Sequence, residues 1–254
     1  MRLFLFDIDG TLVTARGAGR TAVGHALTEV YGTTGPIDAF DFRGRTDPHI
    51  VFGLMRAAGV PDDTIRAGLE ACFAAYVREL AAIIGDGSRV QIMPGMPEVV
   101  RSLSGRDDAL VGLLTGNIEP GARVKLRATG LWPLFRVGAF GSDDADRRRL
   151  PAIACARAQT LTGRPFPFER VTIIGDTPLD VDCARACGAR AISVATGFHS
   201  GDELAACEPD LLFGDFSDVS RVLDALFAPP SGAGGSTRGR ADGHGDQRSR
   251  RPRG

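Results

Sequence analysis

The chain has 254 residues, 43% of them hydrophobic and 24% charged, a balance that suits a globular protein of one or two domains. Its 30 basic and 31 acidic side chains leave a net charge of −1, so no nucleic-acid partner is expected from a basic field. No apolar stretch approaches the ~20 residues of a membrane span, and the first apolar run is broken too early by Asp7 to be a signal peptide.

Taken in order, Leu3-Phe4-Leu5-Phe6 is an apolar run without alternation, the pattern of a strand buried on both faces. It runs directly into Asp7-Ile8-Asp9-Gly10-Thr11. Helical spacing follows over 21–31, closed by Gly32, and then over 48–58, where Pro48 suits a first turn and Asp47 is the expected cap. A longer helix is predicted over 63–84 with Ile65, Leu69, Cys72, Phe73, Tyr76, Leu80 and Ile83 as its stripe. Residues 15–92 thus read as helices with no convincing strand. Beyond Pro94, strands are predicted over 109–114, 136–140, 171–174, 191–195 and 211–213. Around them come helices over 98–103, 120–130 and 151–162, one ending at 187, and one over 217–227. Alternation of this kind implies an α/β fold, a Rossmann-like doubly wound parallel sheet, here with an inserted α-helical cap. The expected division is a core of 1–14 and 93–228, a cap of 15–92 and a tail of 229–254. The tail carries six Arg, two Asp and no aliphatic residue larger than Ala, and is expected to be disordered.

Three of the predicted strands end in groups suited to chemistry. Asp7 and Asp9 are two apart and point the same way in extended geometry. Thr115-Gly116-Asn117 follows the second strand and offers a hydroxyl and close-approaching backbone N–H groups. Gly175-Asp176-Thr177-Pro178-Leu179-Asp180 follows the fourth. In open α/β sheets such carboxyl ends are where ligands sit. The five cysteines, odd in number and without a C-x-x-C pair, read as the reduced thiols of a cytosolic protein. The histidines fall in none of these stretches.

Asp7-Ile8-Asp9-Gly10-Thr11 resembles the first motif of the haloacid dehalogenase-like hydrolases, and the helical insert resembles the cap of their phosphoglycolate phosphatase-like branch. The resemblance covers about residues 1–228. It implies a phosphoric monoester hydrolase acting on a small phosphorylated metabolite. Asp7 would be the nucleophile and a Mg²⁺ ligand. Asp9 would be the general acid/base, its backbone carbonyl also binding the metal; an Asp at this place implies phosphoryl transfer, since the family's dehalogenases lack it. Thr115, with Gly116 and Asn117, would hold phosphoryl oxygens, and Asp176 would complete the Mg²⁺ set. Asp180 is left as a spare acid for the loop. The third motif departs from the family: a Lys is expected ahead of the helix before Asp176, and the sequence reads Asp146-Arg147-Arg148-Arg149-Leu150-Pro151. Arg147 is the favoured substitute at the phosphate, with Arg148 as the neighbouring choice. Lys125, the only lysine, is the other candidate, but it lies ~10 Å along its helix and reads as a surface residue. Arg45, in the cap loop Gly44-Arg45-Thr46-Asp47, is the candidate for a substrate contact. A sugar-phosphate mutase and a non-catalytic binding member are the competing readings. Oligomeric state stays open.

Overall fold

The opening apolar run forms strand β1 (Arg2–Phe6), which lies in the middle of a six-stranded sheet. The computed structural model describes residues 1–228, so the expected disordered tail of 229–254 lies outside the described residues. After β1 come β2 (Val13–Thr14), the helices α1 (Ala18–Tyr31), α2 (Asp47–Ala57) and α3 (Asp62–Ile84), and β3 (Gln91–Ile92). The chain then alternates through α4 (Met96–Ser104), β4 (Ala109–Thr115), α5 (Glu119–Arg127), β5 (Val137–Phe140), α6 (Leu150–Thr162) and β6 (Val171–Gly175). It ends in α7 (Pro178–Cys187), β7 (Arg190–Val194), α8 (Gly201–Ala205), β8 (Leu211–Phe213) and α9 (Val219–Phe227). The large sheet is parallel, in the order β5-β4-β1-β6-β7-β8. This is the doubly wound α/β arrangement that the alternation predicts.

The period of two along β1 explains why it is apolar throughout. Phe4 and Phe6 face one side and pack with Met96, Val99 and Val100 of α4 and Leu226 of α9. Leu3 and Leu5 face the other and pack with Leu150 and Ala154 of α6 and Val181 and Ala184 of α7. Burying each large side chain stabilises the strand by ~1.5–3 kcal/mol. The acids that follow are therefore held on a rigid element. The chain leaves β1 toward β4 and β5, then crosses to β6 on the other side. That reversal opens a crevice beyond the carboxyl ends of β1, β4 and β6.

Helices α1 to α3 have a separate apolar cluster built on Leu27, Ile50, Leu54, Ile65 and Leu80, joined by Ile118 from the core. Val13 pairs with Ile92 and Thr14 with Gln91 in an antiparallel ribbon that fastens the start and finish of this helical segment. Here the expectation of no strand in 15–92 fails, because a two-residue strand is too short to leave a period in the sequence. The α2 cap is also corrected. Thr46, not Asp47, is the N-cap, and its side chain accepts the His49 N–H at 3.3 Å. Among the described residues, no helix is long and apolar enough to cross a membrane.

Candidate active site

The turn after β1 sets the floor of the site. Asp7 continues the strand's pairing, donating its N–H to the Ile174 carbonyl at 2.9 Å, and its side chain is buried. Gly10 has φ +85°, and a Cβ there would lie 2.2 Å from Asp176 Oδ2, so both the turn and the close approach require glycine. Thr11 donates its hydroxyl to Asp176 Oδ1 at 2.9 Å, tying the first stretch to the last. At the end of β4, Asn117 Nδ2 donates to Thr115 Oγ1 and to Asp9 Oδ2, each at 2.8 Å. At the end of β6, Thr177 donates from N and Oγ1 to Asp180 Oδ2 at 3.0 and 2.7 Å, a capping box that starts α7. Asp180 therefore does stabilise its loop, and its other oxygen receives Arg147.

Two cations reach this floor. Arg147–Arg149 forms a single 3-10 turn, started by Asp146, whose Oδ1 accepts the Arg148 N–H at 3.1 Å. With three residues per turn, successive side chains point in different directions. Arg148 and Arg149 stay exposed against Asp146 and Asp144. Arg147 points inward, with Nη2 3.2 Å from Asp7 Oδ1 and bonded to Asp180, and Nη1 donating to the Gly44 carbonyl at 3.2 Å. The second cation is Lys125, and its expected surface position is wrong. It is only 4% exposed, and its Nζ donates to Asp9 Oδ2 and Asn117 Oδ1, each at 2.6 Å. Distance along the axis of α5 understates its reach: side chains on a helix tilt toward its N-terminus, and a four-carbon stem spans the remainder.

Among the buried side chains of the floor, the carboxyls of Asp7, Asp176 and Asp180 outnumber the cations Arg147 and Lys125. One oxygen each from Asp7, Asp176 and Asp180 lie within 4.8 Å of one another. Burial raises Asp7 to about 6 even though Arg147 opposes it, and burial with the neighbouring Asp7 and Asp180 raises Asp176 well above the usual range. A buried set of hard oxygen donors short of positive charge fits a divalent cation such as Mg²⁺. Asp47 adds another buried carboxyl. It too is raised to about 6, by burial with Lys125 opposing, and it accepts the Ile118 N–H at 2.8 Å.

Above the floor is a cavity of about 490 Å³ roofed by the helical segment. Arg45 lines it, with Nη1 2.9 Å from His49 Nε2. The loop carrying Arg45 is pinned to the core: Asp47 N–H donates to the Gly116 carbonyl at 2.8 Å, and Thr46 Oγ1 donates to the Ala145 carbonyl at 2.8 Å. A Cβ on Gly116 would lie 2.1 Å from the Arg45 carbonyl oxygen, so only glycine allows this contact. The structure thus brings Asp7, Asp9, Thr115, Gly116, Asn117, Arg147 and Asp176 to one cavity, with Arg45 at its roof.

The sequence pattern of haloacid dehalogenase-like hydrolases matches residues 4–185. The chain belongs to this family. The hydrolase is 28% identical over 229 residues to the phosphoglycolate phosphatase of Synechococcus elongatus, covering 89% of this chain and 99% of that one. It is 27% identical over 225 residues to the "Probable phosphatase IndB" of Dickeya dadantii, covering 89% and 94%. A hydrolase structure from Pseudomonas syringae shares the fold, with a TM-score of 0.67 at 21% identity, covering 90% of this chain and 100% of that one. The hydrolase is a phosphatase of the family, a phosphoric monoester hydrolase.

Lys125 does carry a signal in the sequence. It is the one lysine in a chain that otherwise uses arginine, and a position that departs from so strong a bias is a candidate for a role arginine does not fill. Thr11 was visible as part of the opening motif but had no assigned partner, because its link to Asp176 spans 165 residues.

Proposed function

We propose that this phosphatase hydrolyses a small phosphorylated metabolite in two steps, with Mg²⁺ as cofactor and phosphoglycolate phosphatase-like chemistry. The observation that carries the reading is Asp7 and Asp9 side by side at the end of β1, each facing its own cation, Arg147 and Lys125. In the first step the Asp7 carboxylate attacks phosphorus and Asp9 gives a proton to the leaving oxygen, forming an aspartyl phosphate. In the second, Asp9 takes a proton from water, which attacks the phosphorus and frees Asp7. Thr115, the Gly116 backbone, Asn117 and Arg147 hold the phosphoryl oxygens, and Lys125 joins them from α5. Asp9 is well suited to moving a proton, because its side chain is 46% exposed to the cavity while Asp7 is buried. Mg²⁺, held by Asp7, the Asp9 carbonyl and Asp176, would offset negative charge on the phosphoryl group. Arg45 contacts the remainder of the substrate. The enzyme acts in the cytosol, where its five thiols stay reduced.

The test is Asp7→Asn. Phosphate release from the best substrate should fall at least ~10³-fold while the melting transition is retained. A folded Asp7→Asn protein that turns over normally would remove the nucleophile from this account. Isomerisation without net phosphate release would instead identify a mutase.

A further inference from the structure

Resting on the phosphatase reading above, we infer that the phosphomonoester taken here carries a flat, largely apolar ring body. Part of the cavity lining is aromatic. Phe40 and Phe42 line the cavity and pack edge to face, their ring centroids 5.8 Å apart at 89°. Val23 and Ile50 extend this wall. From the core, the loop after β7 brings Phe198 to the same cavity with 79% of its surface exposed. One exposed apolar side chain is ordinary on a protein surface. An exposed Phe bordering the same cavity as the half-buried Phe40 and Phe42 gives that cavity three aromatic side chains, the slot in which we place the ring.

Several cations border this aromatic lining. Arg43 is tied to Asp41 through Nε and Nη2 at 2.8 and 3.2 Å. Arg20 gives its donors to the Ile37 and Phe40 carbonyls, and its guanidinium lies 4.2 Å from the Phe42 centroid. Arg16 donates to Gln91 at 2.9 Å. Arg45 sits against His49 and 5.8 Å over the Phe40 ring. These guanidinia rim and back the aromatic wall, where they favour a π-rich ligand. Size points the same way. The cavity of about 490 Å³ lies within the range of ~300–1,000 Å³ that encloses a ring-bearing ligand, whereas a phosphoryl group on a two-carbon acid leaves most of it to water.

The experiment compares phenyl phosphate, a nucleoside 5′-monophosphate, ethyl phosphate and 2-phosphoglycolate with the full chain in Mg²⁺. Phosphate release gives kcat/KM, and calorimetry on the Asp7→Asn protein gives binding without turnover. A ring substrate should exceed 2-phosphoglycolate by about tenfold in kcat/KM and in affinity. Phe198→Ala, at an exposed position, should lower the ratio of ring to ethyl substrate about fivefold. The two ring compounds report whether one ring or a larger base fits the slot. Preference for 2-phosphoglycolate, or a ratio unmoved by Phe198→Ala, overturns the ring inference and leaves the phosphatase reading standing. Tight ring binding with no turnover of any compound supports the ring inference and overturns the phosphatase reading. Equal or absent binding with no turnover overturns both.

Discussion

Lys125 and Arg147 each pair with one of the two acids proposed to react, but their surroundings differ, and so should the consequences of losing them. Lys125 serves Asp9, whose side chain is 46% exposed and can be resolvated. Arg147 serves Asp7 and Asp180, which are both buried. Lys125→Ala should lower kcat/KM by ~10²-fold or more, as removal of one positioned donor does, with a smaller loss of stability than at Arg147 because only the Asn117 Oδ1 is left buried without its donor. Arg147→Ala should lose activity too, and should also destabilise by ~3–5 kcal/mol, because it leaves buried carboxylates without a counter-charge. Steady-state kinetics beside thermal melts separates the two, and normal turnover by Lys125→Ala would take the lysine out of the chemistry. Asp7, Asp9, Thr115 and Asp176 were legible in the sequence because each lies at or next to the end of an apolar strand, where the chain itself fixes its position. Lys125 was not, because its place depends on how α5 packs and on which way a long side chain leans.

At the scale of elements, the fold is readable wherever a strand or helix has a period. It is not readable where the cap loop meets the core. Asp47 looked like the cap of α2, but Thr46 takes that role and frees the Asp47 carboxyl to enter the core and accept the Ile118 N–H. Nothing local in Gly44-Arg45-Thr46-Asp47 distinguishes these two arrangements. The buried Asp47 is raised to about 6 by loss of hydration, with Lys125 opposing. In the unfolded chain an Asp titrates near ~3.9. The folded protein therefore keeps a proton that the unfolded chain has lost. The stability this confers is complete below pH ~4 and is lost as pH rises through about 6, on the order of 3 kcal/mol in all. Asp47→Asn keeps an acceptor for the Ile118 N–H and removes the titration. Melting temperatures of the two proteins measured from pH 4 to 7 should show a steeper decline for the native chain, and parallel curves would mean that Asp47 is ionised in its buried place.

For the molecule as a whole, the site is assembled from parts that are distant in sequence. Asp7 and Asp176 come from strands that pair in the sheet, Asp180 from the start of α7, and Arg147 from the turn before α6. Folding brings these acids together, and their mutual repulsion opposes the packing of β1 against β6. A divalent cation that binds only the folded arrangement relieves the repulsion and shifts the folding equilibrium, by about 2.7 kcal/mol when its concentration is 100 times its dissociation constant. For a chain of this size that corresponds to a rise of several degrees in melting temperature. Chelation should therefore lower both the melting temperature and the phosphate-releasing activity, and added Mg²⁺ should restore both. Asp176→Asn separates the effects. It removes one carboxylate from the cluster, so without metal it should melt at or above the native chain, while its response to Mg²⁺ should be largely lost. A native protein whose melting temperature ignores millimolar Mg²⁺, and whose turnover survives chelation, would show that Arg147 and Lys125 alone balance the acids of this site.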